Sequence, residues 1–336
     1  MSKIGLRLMI KKNFVLTFAL LLLVACGAKD VPQRDAEAER LHRINMVDTT
    51  TIKAKIVPDS IEGHELLEGI TAEAWVLLED STGYVISEKN ASQRMYMASL
   101  TKMMTGLLAL EHGHGDDSLY VTEDDYVARD SRVKLGEGYT MRDLIVEMMM
   151  ASDNDAAYTL ARHIAGDTIA FCNKMNERAA YLGMNSTHYA TPNGLPNDSN
   201  YTTAYDQLRL ARYCMADTTF AQIVSTKEAK IPLLDGRHLD IQNTNQLLFT
   251  YDGCIGIKTG FTYQAGACLA AAATRDGVTL YVILLKSRNM KLRFKEAAIL
   301  LDYGFRVLRF STKFSGIPLF SHENIVSLHS KCNIWA

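Results

Sequence analysis

The chain has 336 residues, 48% apolar and 22% charged, with 21 Gly and 6 Pro. That is enough apolar matter for one large core or two modest ones, and it excludes a collagen-like, low-complexity or disordered chain. The 36 Lys and Arg against 38 Asp and Glu leave a formal charge of −2, far from the basic excess on which nucleic-acid binding draws, so no nucleic-acid partner is expected.

Lys3, Arg7, Lys11 and Lys12 precede an uncharged run over residues 14–25, closed by Cys26 and Gly27. This is the pattern of an export signal. An apolar run of about 12 residues falls short of the roughly 20 that a spanning helix needs, so residues 1–25 are expected to be cleaved. Leu23-Val24-Ala25-Cys26 resembles the bacterial lipobox, which implies acylation of the Cys26 thiol and attachment to the membrane. An ordinary signal ending at the same border is the alternative, and both imply export. Loss of residues 1–25 removes four cations and no anion and takes the chain from −2 to −6. Residues 26–58 are charged and lack aromatics. They read as a tether, part of it helical, that would span roughly 30 Å as a flexible coil. Five cysteines follow Cys26 (Cys172, Cys214, Cys254, Cys268, Cys332), an odd number that cannot all pair within one chain. Cys254 and Cys268 flank an expected hairpin and are placed to face each other, with buried free thiols as the alternative.

Residues 72–79 and 84–90, either side of Asp80-Ser81-Thr82-Gly83, predict two strands around a turn. Residues 97–111 predict an apolar helix, broken by His112-Gly113-His114-Gly115. Further helices are predicted over 141–151, where Thr140 and Asp143 form a capping-box-like start, over 154–164 and over 168–182. Thr203 and Asp206 repeat that cap ahead of a helix over 207–215. Strand-like runs return at 229–234, 253–258, 267–273 and 279–285, and a last helix is predicted over 292–308. This order predicts an α+β fold, one sheet with helices gathered at one side and end, in a domain over residues 59–310. No internal repeat is present.

Three short motifs follow one another: Ser99-Leu100-Thr101-Lys102, Ser152-Asp153-Asn154 and Lys258-Thr259-Gly260. Each is weak alone, since Ser131-Arg132-Val133-Lys134 and Ser287-Arg288-Asn289 match two of the same patterns. Those copies fail on context, the first in a charged, Gly-flanked stretch and the second after Lys258 rather than before it. Singly, Ser99 and Ser152 read as helix caps, Lys102 as a solvated charge and Lys258 as an edge-strand gatekeeper. Jointly and in this order, they read as a catalytic set.

On a helix, residues three apart share a face, so the Lys102 amine reaches the Ser99 hydroxyl without a third residue between them. That makes a nucleophile and its base. The amine must be unprotonated to act, which at neutral pH means lowering an ordinary pKa of about 10.4 by roughly 3 units, about 4 kcal/mol. Burial and a second cation supply such a shift, and Lys258 is the candidate cation. A serine at a helix start offers its own N–H to a developing oxyanion. In Lys258-Thr259-Gly260, Gly260 lets a substrate backbone approach, while Lys258 and Thr259 present a cation and a hydroxyl to a carboxylate. Ser152 is placed to pass a proton to a leaving amine, and Asn154 to hold a substrate amide.

With these motifs the sequence resembles the serine D-alanyl-D-alanine carboxypeptidases, the low-molecular-mass penicillin-binding proteins. The resemblance covers roughly residues 60–308 and includes 98–105, Thr191-Pro192-Asn193-Gly194-Leu195, 201–206 and 256–266. It implies a β-lactamase/transpeptidase-like fold, an antiparallel sheet flanked by helices with a helical subdomain and the site between them. It also implies that Ser99 is acylated, Lys102 is its base, Ser152 and Asn154 form the other side of the cleft, and Lys258 contacts the carboxylate. The Phe261 N–H would be the second oxyanion donor. The substrate implied is a peptidoglycan stem peptide, with β-lactams as covalent inhibitors, no cofactor or metal, and a place outside the cytoplasmic membrane. Family members commonly carry a further β-rich domain and an amphipathic C-terminal helix. Here 28 residues follow Leu308, and the tail over 311–336 shows no amphipathic stripe.

Rival readings on the same motifs are a β-lactamase, a peptidoglycan DD-endopeptidase or a non-catalytic penicillin-binding lipoprotein. A class A β-lactamase needs a Glu some three dozen residues after the second motif to activate water, and residues 187–194 hold none. A metal hydrolase is disfavoured, since His112 and His114 lack acidic or Cys companions and His64-Glu65 lacks the second His of its motif.

Overall fold

The computed structural model of the chain describes residues 37–38, 40–42, 64–125 and 131–315. The expected signal, Cys26, most of the tether, Cys332 and the end of the tail lie outside the described residues. Those described within 37–42 are helical and belong to a separate compact unit, residues 1–43.

In chain order, a 3-10 turn His64–Gly69 precedes β1 (Ala74–Glu79) and β2 (Val85–Lys89), and a second turn, Ala98–Thr101, runs into α1 (Lys102–His112). The short pair β3 (Ser118–Tyr120) and β4 (Gly138–Thr140) leads to α2 (Met141–Met150), α3 (Asn154–Ala165) and α4 (Thr168–Tyr181). Next come α5 (Ala204–Met215), α6 (Thr218–Ser225), the hairpin β5 (Glu228–Pro232) and β6 (His238–Gln242), and the single turn α7 (Leu247–Thr250). The chain closes with β7 (Cys254–Thr262), β8 (Gly266–Arg275), β9 (Val278–Ser287) and α8 (Leu292–Ser315).

The five long strands form one sheet in the order β2-β1-β9-β8-β7, each neighbouring pair antiparallel. β1 is buried along its whole length, as are residues 267–273 of β8, because both faces are covered. Alternate side chains divide between the faces. Leu77, Leu269, Ala271, Ala273, Leu280, Val282 and Leu284 share one core with Ala297, Leu300 and Leu301 of α8. The other face meets α5 and the helices behind it. This is the α+β arrangement that the strand and helix order predicts.

The helix starts are fixed by short polar side chains that accept from the first free backbone N–H groups. Thr140 accepts from Asp143 N, Asp153 from Asp155 N and Ala156 N, and Thr203 from Asp206 N. The structure adds β3, β4, β6, α6 and the single turn α7 to the predicted elements. β3 is only three residues long, and β6, whose Leu239 and Ile241 alternate with polar residues, buries only Ile241 fully. The last helix extends to Ser315, beyond the expected 308.

The expected facing of Cys254 and Cys268 is corrected. Cys254 lies opposite Ala273 and Cys268 opposite Gly260, six residues further along β7, about 20 Å at strand rise. The turn is centred near Gln264 rather than midway between the two cysteines. No disulfide links Cys172, Cys214, Cys254 and Cys268.

Arg212 of α5 crosses to the end of β1, donating from Nε to Asp80 Oδ1 at 2.9 Å and from Nη2 to the Asp80 carbonyl at 2.8 Å, with side chains 1% and 5% exposed. Removing one partner strands the other charge in the core. Arg212→Ala is therefore expected to lose about 3 kcal/mol of stability, read from the urea midpoint, and an unchanged midpoint would refute this role.

Candidate active site

Ser99 does not cap a helix. It lies in the 3-10 turn Ala98–Thr101, and α1 begins only at Lys102. Ala98 takes the left-handed conformation, φ +47°, which an L side chain seldom adopts. Two glycines admit this turn. A Cβ on Gly194, itself at φ +84°, would fall 2.0 Å from the Ala98 carbonyl oxygen, and one on Gly260 would lie 3.0 Å from both Met97 O and Ser99 N. Gly260 thus serves the close approach of the protein's own turn to β7, and not only that of a substrate as expected. Thr101 Oγ1 to Ala98 O and Thr105 Oγ1 to Pro192 O, at 2.8 and 2.6 Å, hold the turn and the 191–195 loop to α1. Ser99 itself stays half-exposed.

One helical turn on, Lys102 is fully buried. Its Nζ donates to Ser99 Oγ at 3.0 Å, Asn154 Oδ1 at 2.8 Å and the Asn193 carbonyl at 2.8 Å. The last two acceptors have no proton to give, so each fixes one N–H of the amine. The hydroxyl of Ser99 can both accept and donate. The corner of the nitrogen that faces Ser99 is therefore the one that can exchange a proton for a lone pair.

Ser152 is half-buried at φ +67°, in the link between α2 and α3. Asp153 holds that link: Oδ1 accepts from Asp155 N and Ala156 N at 3.0 Å each, and Oδ2 from Arg132 N at 2.5 Å and Val133 N at 3.3 Å. The rejected motif copy belongs to the same scaffold, since Ser131 Oγ accepts from Asp155 N at 3.2 Å.

Lys258-Thr259-Gly260 lies in the middle of β7 rather than near its end, and β7 is the outer strand of the sheet. Thr259 Oγ1 meets Thr244 Oγ1 at 2.8 Å, and Thr244 N donates to the Met150 carbonyl at 3.0 Å, which ties the strand to the end of α2. Lys258 is 1% exposed, no surface gatekeeper. Burial first, then the charges of Lys102 and Arg293, hold its pKa well below the ordinary 10.5, with Glu147 opposing. The repulsion between the two lysines is mutual, so charge on either is disfavoured by charge on the other. Phe261 is half-exposed at the same edge, its ring edge-on to Tyr263 with centroids 5.8 Å apart.

The structure thus brings Ser99, Lys102 and Asn154 into direct hydrogen-bond contact and Gly260 against the Ser99 backbone, with Ser152 two residues before Asn154 and with Lys258, Thr259 and Phe261 flanking Gly260 on β7. It adds three residues that the motifs do not announce. Asn193 contributes a backbone carbonyl from Thr191-Pro192-Asn193-Gly194-Leu195, a stretch that carries the family resemblance but whose side chains announce no such role. Arg293 of α8 donates from Nη1 to Gly260 O at 2.7 Å and Cys268 O at 3.3 Å, and burial pushes its pKa down to about 10. Glu147, the one acid near the Met148-Met149-Met150 end of α2, is fully buried with no hydrogen-bond partner on either carboxylate oxygen. Burial and then Asp153 raise its pKa well above the ordinary 4.5, against the pull of Arg132, Lys102 and Lys258. Among the described residues, no group of three or more His, Cys, Asp or Glu is placed to hold a metal ion.

Comparison with known proteins gives the same picture. Residues 61–289 match the S11 peptidase family, described as D-alanyl-D-alanine carboxypeptidase. The D-alanyl-D-alanine carboxypeptidase DacF of Bacillus subtilis (strain 168) is 30% identical over 263 residues, 76% of this chain and 66% of its own, so the chain spans just under two thirds of that relative. The crystal structure of the Streptomyces K15 DD-transpeptidase superposes with a TM-score of 0.67 at 32% identity, covering 70% of this chain and 97% of that one. Penicillin-binding protein D2 from Listeria monocytogenes, solved in its ampicillin-bound form, gives 0.64 at 30% identity, over 70% and 98% of the two chains. The fold is the DD-transpeptidase and β-lactamase-like one.

Two outcomes follow from the geometry. Gly260→Ala forces the turn carrying Ser99 away from β7, and since misplacement near 1 Å costs up to about 100-fold in rate, acylation of Ser99 is expected to slow at least tenfold while the fold persists; stopped-flow acylation is the measurement. Glu147 keeps its proton in the fold at pH values where the unfolded chain releases it, so its presence destabilises increasingly as pH rises above about 4.5. Glu147→Gln should match the parent at pH 4 and exceed it at neutral pH, by about 1.4 kcal/mol per unit of pH until Glu147 ionises. Denaturant titrations across that range test it, and a difference independent of pH would sink it.

Proposed function

Because the chain belongs to the D-alanyl-D-alanine carboxypeptidase family of serine peptidases, we propose that it removes the terminal D-Ala from peptidoglycan stem peptides through an acyl-enzyme on Ser99. The observation that carries this reading is the Lys102 amine, 3.0 Å from the Ser99 hydroxyl with two fixed acceptors on its other sides.

In the reaction, the terminal carboxylate of the stem peptide lies toward Lys258 and Thr259 and the scissile carbonyl over Ser99. Lys102 Nζ takes the hydroxyl proton as Ser99 Oγ attacks, and the N–H groups of Ser99 and Phe261 hold the oxyanion. The proton passes to the departing amine by way of Ser152, and D-Ala leaves. Asn154 orients both the lysine and the peptide amide. Water then attacks the ester, Lys102 accepts its proton and returns one to Ser99, and the shortened peptide is released.

The Streptomyces K15 neighbour is named a DD-transpeptidase, which supports a second outcome for the same acyl-enzyme: an acceptor amine in place of water. The β-lactamase alternative lacks support, since residues 187–194 hold no Glu to drive deacylation. β-Lactams are expected to acylate Ser99 and remain.

The enzyme acts outside the cytoplasmic membrane. For its attachment we propose cleavage after Ala25 and lipidation of Cys26, with residues 26–58 as tether, 59–310 as the peptidase domain and 311–336 as a short tail. Among the described residues, no helix is long and apolar enough to cross a membrane. A chain carrying one acyl group attaches only marginally, which is why such an anchor takes more than one.

Incubation of the purified domain with a stem pentapeptide should release one D-Ala, seen by mass spectrometry, and fluorescent penicillin should label the parent but not Ser99→Ala. Rapid hydrolysis of nitrocefin, or opened cross-links without D-Ala release, would overturn the carboxypeptidase reading.

A further inference from the structure

Arg293 of α8 is a buried cation that the three motifs leave out. It is 6% exposed, and its Nη1 donates to the Gly260 carbonyl at 2.7 Å and to the Cys268 carbonyl at 3.3 Å, with Cζ 4.8 Å over the Phe294 ring. Its Nε has no hydrogen-bond partner. Among the described residues no carboxylate pairs with it, and although burial lowers its pKa to about 10 it remains a cation at neutral pH. Withdrawing a guanidinium from water is costly unless an opposite charge answers it. Fastening α8 to the sheet would need only a neutral donor, so the charge calls for a further account.

The two carbonyls lie opposite each other, Gly260 on β7 and Cys268 on β8. A group that reaches both stands on the β8 side of β7, so the Gly260 carbonyl points into the sheet. A planar trans peptide sends its C=O and N–H in opposite directions, and the N–H of this peptide belongs to Phe261. It therefore points away from β8, where β7 has no neighbouring strand. The turn that carries Ser99 packs against the same glycine, since a Cβ on Gly260 would lie 3.0 Å from both Ser99 N and Met97 O. Arg293 thus takes the carbonyl end of a peptide group whose N–H end opens on the cleft.

On the carboxypeptidase reading, on which this inference rests, the Phe261 and Ser99 N–H groups receive the negative oxygen that forms as Ser99 Oγ attacks. A cation on a peptide oxygen draws electron density along the amide, leaves its nitrogen more positive and makes its N–H a stronger donor. Linked hydrogen bonds polarise one another in this way by about 10–30% per bond, and a charged donor bonds more strongly than a neutral one. Inside the protein this polarisation is weakly screened.

We propose that Arg293 is a positioning residue of the oxyanion hole: bound to the Gly260 carbonyl, it aims the Phe261 N–H at the cleft and strengthens it as a donor. Arg293 also disfavours charge on Lys258, and the two effects separate by experiment. Action through Lys258 moves the pH profile of acylation, whereas action through the peptide changes the bonds made to the acyl oxygen at any pH.

One oxyanion donor is worth about 10²–10³-fold in rate, and about 10–30% of that free energy is roughly two- to eightfold. The test compares Arg293→Met and Arg293→Lys with the parent in acylation by isotope-labelled benzylpenicillin and in the infrared stretch of the ester carbonyl then formed on Ser99. Hydrogen bonds to that oxygen lower the stretch. Arg293→Met should acylate roughly two- to eightfold more slowly and raise the stretch across the pH range. Arg293→Lys keeps the charge without the planar fork and should fall between the two; should the Met variant not fold, the Lys variant alone decides, by a raised or a parent-like stretch. An unmoved carbonyl band, a slower rate explained by a shifted pH profile, or a Lys variant no better than the Met one would overturn the inference alone. No acylation of the parent, or acylation that survives Ser99→Ala, would overturn the carboxypeptidase reading and this inference with it.

Discussion

A lysine amine held away from water is the constraint on which the rest of the site depends. Lys102 has no exposed surface, and its nitrogen is shared by Ser99, Asn154 and the Asn193 carbonyl. These acceptors come from three separate stretches of chain, so one nitrogen pins the 3-10 turn, the start of α3 and the 191–195 loop to a common point. Burying an ammonium costs several kcal/mol unless its protons are matched. The match is what makes the position tolerable. It is also what leaves the hydroxyl of Ser99 as the one partner able to trade a proton.

The surrounding charges extend this logic. Lys258 and Arg293 lie buried along β7, and burial disfavours the charged form of both. Glu147 is a buried acid beside them without a hydrogen bond, and burial raises its pKa well above the ordinary 4.5, which favours its neutral form. The cleft therefore holds cationic groups whose compensation inside the protein is incomplete. In a low-dielectric groove the attraction of such groups for a carboxylate is far stronger than at an open surface. On the proposed carboxypeptidase reading, recognition of a free chain end and the lowered Lys258 pKa come from the same withheld solvation.

Much of this was legible in the sequence because it is local. Ser99 and Lys102 are three residues apart, and the Thr140 and Thr203 caps act within a single turn, so spacing alone reports them. The α+β order was readable for the strands buried on both faces, which are long apolar runs. What escaped is what folding brings from afar or what side chains do not announce. Asn193 acts through a carbonyl that every residue possesses. Arg293 reaches Gly260 across 33 positions. Gly260 looked like room for a substrate, yet its nearest limits are Met97 O and Ser99 N of the same chain. The Cys254 and Cys268 pairing failed because a turn displaced by a few residues moves every partner along the ladder. β6 escaped although its Leu239 and Ile241 alternate with polar neighbours, because five residues that bury only Ile241 fully make a short, weak strand signal.

Backbone strain marks where the chain was bent to meet these demands. Ala98 and Ser152 are L residues held at φ +47° and +67°, one beside the nucleophile and one in the second motif. Each costs on the order of 1 to 2 kcal/mol and persists only where neighbours leave no alternative. At Ala98 those neighbours are Gly194 and Gly260, whose missing Cβ atoms let two other segments close on the turn. At Ser152 they are the four hydrogen bonds of Asp153, which fix the chain immediately after it. Both serines are thus presented by short strained links between rigid pieces: α1 and the sheet on one side, α2 and α3 on the other. A relaxed link would let either hydroxyl drift by the fraction of an ångström that separates a proton-transfer contact from an ordinary one. The strain is the physical cost of holding the Ser99 turn and the Ser152 link in these positions.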